Sequence, residues 1–448
     1  MPERYDAIII GAGPAGEVAA TRLPELGLRT ALIERELVGG ECAYWACIPS
    51  KTLLRPPEVR GEAKRTAGVA VPAQSWPDAA EYRDFMIRDL DDSKAIAGYR
   101  SGGVDVYKSE ARILGPGKVE IAGAALETER LVIATGSDAR VPEIPGLREA
   151  GYWTNREATT TSEVPASVVI LGGGPVGVEL GQLFRRFGAE VVIVEKHERL
   201  LAGEDAEAGE LIGRALGDDG VVLRLGAEVA RVTREGPQRV VQLEDGSELR
   251  GDELIVAVGR EPRVPAGLEE LGVTIEPRGV QVDERCRAGD GVWAVGDVTG
   301  VMPFTHVAMY QARVACADMA GETASADYTS IPRVVFSDPE VAAVGLTLEQ
   351  ARERGLRLAR ARIRIADEIA RPWTYERDPR GELGLLVDTD RDVLIGAWAV
   401  APLAGEWIHY ATLAIKTQTP LKVLRDTVAQ FPTFSEAFSK ALERVEAL

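Results

Sequence analysis

The chain opens on a short apolar run, Tyr5-Asp6-Ala7-Ile8-Ile9-Ile10, that breaks at once into Gly11-Ala12-Gly13-Pro14-Ala15-Gly16. A helix-like stretch follows to about Gly27, then a second apolar run, Thr30 to Ile33, ending in Glu34. Short β-rich runs around a glycine turn and a helical pattern predict a β-α-β unit. The pattern returns: Ser167 to Leu171 reads as a strand, Gly172 to Gly177 as the turn, Val178 to Phe187 as a helix, and Glu190 to Val194 as a strand ending in Glu195. Between the copies, Asp78 to Tyr99 reads as a polar helical stretch, and Leu131 to Gly136 as a strand entering a tight turn. Pro142 and Pro145-Gly146 mark a linker. Leu254 to Arg260 and Gly291 to Asp297 read as further strand ends. From about Ser325 alternating strands take over, with a helical tail from Ser435.

A chain of 448 residues predicts two to four domains. Its net charge of −18 argues against nucleic acid and anionic membranes as partners, because both require a positive face. No secretory signal and no apolar run of about 18 residues is read, so a cytoplasmic protein that does not span a membrane is expected. Four cysteines are too few for a secreted disulfide scaffold; a close pair in a cytoplasmic chain points to catalysis or metal binding.

Each glycine turn has a physical logic. The first glycine makes the turn, the second lets main chain approach a pyrophosphate, and the third lets the helix pack on the strand. The helix N-terminus then offers unpaired N–H groups to phosphate. Gly11, Gly13 and Gly16 fit this, with Glu34 placed to bind ribose hydroxyls; Gly172, Gly174 and Gly177 repeat it with Glu195. One such turn is compatible with any α/β fold, but two complete copies predict two dinucleotides, FAD and NAD(P)H. A carboxylate at Glu195 repels a 2′-phosphate and favours NADH, while Lys196 and Arg199 leave NADPH open.

The segment Gly39-Gly40-Glu41-Cys42-Ala43-Tyr44-Trp45-Ala46-Cys47-Ile48-Pro49-Ser50-Lys51 carries the second signal. Two cysteines five apart could close a small disulfide ring. A helix beginning near Cys47 and the Lys51 cation would stabilise a thiolate able to pass two electrons onward. Inert thiols are the bland alternative. A metal site needs more ligands than this segment offers; Cys286 and Cys316 are isolated, His197, His306 and His409 show no zinc spacing, and no metal is expected.

These motifs resemble the class I pyridine nucleotide–disulfide oxidoreductases, which include dihydrolipoamide dehydrogenase, glutathione reductase and mercuric reductase. The resemblance covers essentially the whole chain. It rests on the Gly-Gly-x-Cys-x4-Cys-Ile-Pro-Ser-Lys segment, Ala134-Thr135-Gly136, Pro142-x-x-Pro145-Gly146, Val258-Gly259-Arg260, Ala294-Val295-Gly296-Asp297 and the stretch Pro332 to Gly345. It implies an α/β fold with two Rossmann-like domains and a C-terminal α+β dimerisation domain. The implied FAD domain covers 1–150 and 270–325, the NAD(P) domain 151–269 and the interface domain 326–448. It implies a cytoplasmic homodimer serving a small-molecule electron acceptor. Gly40, Thr135, Gly136 and Gly259 would join the cofactor-binding set. Asp297 would bind the flavin's ribityl chain, Cys47 would be the flavin-proximal thiol and Cys42 the exchange thiol. Lys51, paired with Glu179, would sit near the flavin N5. A simple structural ion pair is the alternative for that couple.

One departure changes the chemistry. Where the family's disulfide reductases read His-x-His-Pro-Thr-x-x-Glu, this chain reads Ala429-Gln430-Phe431-Pro432-Thr433-Phe434-Ser435-Glu436. Phe431 stands in place of the acid/base histidine, and Glu436 has no histidine to orient. A positioned acid/base contributes roughly 10²–10⁴-fold to proton transfer, so a standard dihydrolipoamide dehydrogenase or glutathione reductase is not expected. Mercuric reductase also lacks this histidine but carries a C-terminal cysteine pair that is missing here. The 2-ketopropyl coenzyme M carboxylase places Phe here, yet it also replaces the Glu. Phe431 as plain interface packing is the bland reading. In the cysteine loop, Tyr44-Trp45-Ala46 replaces Asn-x-Gly and Glu41 replaces Thr; for Trp45 a core or lid role stands at least level with direct substrate binding. The expected enzyme passes electrons from NADH through flavin and Cys42–Cys47 to an activated disulfide, an electrophile, a quinone or a metal ion. Flavin-only quinone reductase, diaphorase or transhydrogenase chemistry, dihydrolipoamide dehydrogenase, a 2-ketopropyl coenzyme M carboxylase-like enzyme and a non-catalytic redox-sensing flavoprotein are the alternatives.

Overall fold

The computed structural model describes residues 2–448, which form two compact units. The first takes in the residues up to Pro49, Glu81–Arg140 and Gly259–Asp327. Its centre is a six-stranded sheet in the order Arg287–Gly289, Val292–Ala294, Leu131–Ile133, Ala7–Ile10, Thr30–Glu34, Val104–Lys108. All neighbours after the first pair run parallel. Parallel sheets are covered on both faces, and every residue of Ala7–Ile10 and Thr30–Glu34 is accordingly buried. The helix Pro14–Glu25 starts with proline at its first turn, where a missing N–H costs nothing, and packs Ala15, Ala19 and Leu23 into the core. A four-stranded sheet, Glu3–Tyr5, Ala124–Thr128, Lys118–Ile121, Ala111–Gly115, closes this unit's other core.

The second unit comprises Ser50–Ala80, Val141–Val258 and Tyr328–Leu448. A parallel sheet, Val222–Leu225, Glu190–Glu195, Ser167–Leu171, Glu253–Val256, carries the second glycine turn, and a three-stranded antiparallel sheet packs beside it. Its largest sheet is antiparallel: Pro332–Val335, Glu340–Gly345, Val393–Ala401, Glu382–Asp388, Leu358–Arg364, Glu446–Ala447. Asp338, at a turn of that sheet, is ligated by the guanidinium groups of Arg65, Arg186 and Arg380 at 2.8–3.1 Å. Three cations on one buried carboxylate tie the end of the helix Cys47–Arg65 to this sheet.

Three expectations shift. The repeat helix spans Pro175–Arg186, because proline can open it. The stretch expected as one helix from Asp78 to Tyr99 is broken into Trp76–Met86, a short 3₁₀ turn and Ser93–Ser101. Arg88, Asp89 and Leu90 all take positive φ, which a continuous right-handed helix does not admit. The C-terminal tail is the helix Glu436–Glu443 followed by the edge strand Glu446–Ala447.

Candidate active site

The two glycine turns are built alike. Gly11 has φ +100° and Gly172 φ +107°, and a side chain on either would strike the carbonyl of Ala134 or Ala257. A side chain on Gly16 or Gly177 would strike the carbonyl of Gly11 or Gly172. Gly13 and Gly174, by contrast, face open space. The crowded first and third positions and the open second position fit a pyrophosphate approaching main chain, so each turn could hold a dinucleotide. Glu34 receives the Ala12 N–H at 2.7 Å and the Glu36 N–H at 2.7 Å. Glu195 receives Gly173 N–H at 2.6 Å and His197 N–H at 2.8 Å. Both carboxylates are thus held at the strand ends, with lone pairs left for ribose hydroxyls.

In the first unit, Gly40 is pressed against the first turn: a side chain there would meet Gly13 Cα at 2.7 Å. The short helix Gly40–Tyr44 carries Cys42, and the helix Cys47–Arg65 begins on Cys47. The Thr305 hydroxyl lies 3.3 Å from Cys42 Sγ and 3.3 Å from Cys47 Sγ. One hydroxyl therefore reaches both sulfurs, and Cys47 sits at the positive end of a 19-residue helix. Asp297 accepts the Ser137 hydroxyl at 2.6 Å and lies 3.7 Å from Arg260 Nε. Arg260 in turn donates to the Ser137 hydroxyl and carbonyl, each at 2.7 Å, and approaches Glu41 at 3.9 Å. Thr135 donates to the Arg263 carbonyl, and Gly136 accepts from the Arg263 N–H at 2.9 Å. Gly259, at φ +120°, accepts from the Arg140 N–H at 3.0 Å.

In the second unit, Lys51 meets Glu179 at 2.7 Å. The Glu179 carboxylate is 8% exposed and Lys51 34%. The other Glu179 oxygen accepts the Phe336 N–H at 3.0 Å, and the Lys51 ammonium lies 4.7 Å above the Phe336 ring. Lys51 follows Cys47 by one helical turn, so thiol and cation share the start of one helix. Phe431 is 75% exposed. Glu436 accepts the Thr433 N–H at 3.3 Å, a local turn contact.

Thr305 and Phe336 were outside the sequence-derived set. Thr305 stands 258 residues from Cys47 in no recognised motif, though it opens a helix eight residues after Asp297. Phe336 lies inside the Pro332 to Gly345 stretch but meets Glu179 through its main chain and Lys51 through its ring, neither of which a motif reveals. Among the described residues, no group of three or more His, Cys, Asp or Glu could hold a metal ion. No helix among them is long and apolar enough to cross a membrane.

Comparison with known proteins agrees with this geometry. Mercuric reductase of Bacillus cereus is 32% identical over 98% of this chain and 71% of its own length. Dihydrolipoyl dehydrogenase of Thermus scotoductus is 34% identical over 98% of this chain and 97% of its own. The solved structure of the HOCl-induced flavoprotein disulfide reductase RclA from Escherichia coli matches with a TM-score of 0.88 at 29% identity, covering 98% of this chain and 99% of that one. Residues 331–442 match the dimerisation domain of the pyridine nucleotide-disulphide oxidoreductases. With residues 5–312 matching the pyridine nucleotide-disulphide oxidoreductase family model itself, the chain belongs to the pyridine nucleotide-disulphide oxidoreductases and is an FAD-dependent enzyme that works with NAD(P)H.

Proposed function

We propose that this enzyme passes two electrons from NADH to the Cys42–Cys47 pair and on to a small-molecule acceptor that needs little proton assistance. The observation that supports the reading is the contact of the Thr305 hydroxyl with both sulfurs at 3.3 Å each, with Cys47 opening a helix. Bound FAD would supply the two-electron exchange between nicotinamide and this pair. Gly11, Gly13, Gly16, Gly40 and Glu34 would seat it, with Thr135, Gly136 and Asp297 beside them. Gly172, Gly174, Gly177 and Glu195 would seat the nicotinamide dinucleotide, with Gly259 nearby in sequence to the same strand end. Glu195 disfavours a 2′-phosphate, hence NADH. Lys51, held by Glu179, would stabilise negative charge on the reduced cofactor. Cys42 would attack the acceptor while Cys47 holds a thiolate. The domain limits proposed above, 1–150 with 270–325, 151–269 and 326–448, go with these roles, and the working unit is a homodimer.

Phe431 cannot donate a proton, so the acceptor should be one whose reduction does not wait for a leaving thiol to be protonated. Metal ions fit that class. The relatives include proteins named mercuric reductase, and RclA has been solved as a Cu(II) complex. Anaerobic titration with NADH tests the proposal. A long-wavelength thiolate-to-flavin absorption at two electrons, followed by uptake to four, is expected. Bleaching of the flavin at two electrons with no such absorption would replace it with flavin-only quinone or transhydrogenase chemistry. An acceptor screen with Hg(II), Cu(II), activated disulfides and quinones, run on the parent and on Cys42→Ser, then identifies the substrate class.

A further inference from the structure

The loop Glu36–Gly40 links the strand Thr30–Glu34 to the helix that carries Cys42, and it is gripped from three sides. Val38 is buried, and both of its main-chain polar groups are satisfied by side chains. Its N–H donates to Asp92 at 2.8 Å, and its carbonyl accepts the Tyr44 hydroxyl at 3.1 Å. Lys108 donates to the same Asp92 oxygen at 2.6 Å and to the Glu36 carbonyl. Below the loop, a side chain on Gly39 would meet the Tyr44 ring at 2.9 Å, and Gly39 N–H donates to the Ala12 carbonyl at 2.8 Å. Tyr44 is 2% exposed, and burial pushes its phenol up, so the group stays a neutral donor; Arg88 lies beside it. Arg88 comes from the segment in which three consecutive non-glycine residues take positive φ. That conformation is held in place by tertiary contacts rather than by local preference.

We infer that Tyr44, Asp92 and Lys108 are positioning residues for the redox cysteine pair, fixing the Glu36–Gly40 loop and with it the distance between Cys42 and Cys47. The inference rests on the redox-active reading of that pair. Disulfide closure demands a narrow range of sulfur geometry. A main chain that holds both sulfurs within 3.3 Å of one hydroxyl keeps the thiols close to each other and raises the effective concentration of one at the other. Loosening the clamp frees the dithiol more than the disulfide, because the ring itself restrains the oxidised form. The equilibrium therefore moves toward the dithiol when the clamp is cut.

The test equilibrates the flavin-loaded enzyme with mixtures of reduced and oxidised dithiothreitol. The reaction is an exchange: the Cys42–Cys47 disulfide and dithiothreitol give two protein thiols and the cyclic dithiothreitol disulfide, so two electrons and two protons move together. Maleimide trapping and mass measurement then read the fraction reduced. Tyr44→Phe and Lys108→Met are each expected to shift the equilibrium constant about tenfold toward the dithiol, roughly 30 mV for a two-electron couple. Lys108→Arg, which keeps the cation, should restore most of the parent value. A shift under twofold in both Tyr44→Phe and Lys108→Met overturns the clamp. If Tyr44→Phe does not fold, the Lys108 pair alone decides. A parent enzyme in which no dithiol can be trapped at any ratio defeats the redox-pair reading and the clamp with it, an outcome distinct from a parent that titrates and variants that match it.

Discussion

Replacing Lys51 by methionine removes the cation and leaves the stem's apolar volume. The Glu179 carboxylate, 8% exposed, would then keep the Phe336 N–H at 3.0 Å as its one described donor. Breaking a buried ion pair by removing one partner costs about 3–5 kcal/mol, mostly from stranding the other charge. Lys51 is a third exposed, so part of its attraction is already screened by water, and the Phe336 N–H remains. A loss of roughly 2 kcal/mol is expected. Adding Glu179→Gln removes the stranded charge while its carbonyl still accepts from Phe336, and should return about 1 kcal/mol. The assay is equilibrium urea unfolding of parent, Lys51→Met, Glu179→Gln and the double variant, followed by tryptophan fluorescence. Losses that add within about 0.5 kcal/mol would refute the coupling. The rate of reduction by NADH, measured in the same four proteins, separates a structural pair from one that serves the redox cofactor: only the latter slows in a double variant whose stability has been recovered.

Glu340 offers a pH test. Burial, opposed by the Gly405 N–H at 2.8 Å and reinforced by the charges of Glu58, Glu406 and Asp338, pushes its carboxyl up to about 7 from an ordinary 4.5. Its contribution is complete below pH 4.5 and declines as pH climbs to 7, a cost of roughly 3 kcal/mol by pH 8. Glu340→Gln should remove most of that decline; equal pH 5 to pH 8 stability differences in parent and variant would exclude it. Phe431→His is expected to gain disulfide reductase activity, up to roughly 10²-fold, and no gain would show that the missing base is not what limits the parent. If Glu195 sets the proposed NADH preference, Glu195→Ala should narrow the NADH-over-NADPH ratio in kcat/KM by about tenfold or more, since it would remove a 2′-OH acceptor and a 2′-phosphate repeller together; an unchanged ratio would place nucleotide choice elsewhere.

The glycine turns were legible because their chemistry is main-chain geometry, and only glycine allows it at Gly11, Gly16, Gly172 and Gly177. The cysteine helix was legible for a similar reason: the signal is local. The helix break near Arg88 was not. Its polar pattern reads as continuous helix, and what ends it is tertiary: Asp92 is drawn to the Val38 N–H and Lys108. Thr305 and Phe336 escaped for the same cause, since each meets its partners across more than 150 residues of sequence. The Lys51–Glu179 pair was expected only through resemblance to a family, as nothing in the spacing of residues 128 apart brings them together.

A threonine hydroxyl carries a single hydrogen. Because Thr305 stands equidistant from two sulfurs, it can lend that hydrogen to one of them at a time, and the better acceptor is whichever sulfur holds more negative charge. In the proposed redox cycle the rotor would follow the electron pair, toward Cys47 when the charge rests there and toward Cys42 when that sulfur acts as the nucleophile. A torsion about one bond, involving no movement of the fold, would then let a single side chain stabilise charge at either end of the cysteine pair in turn.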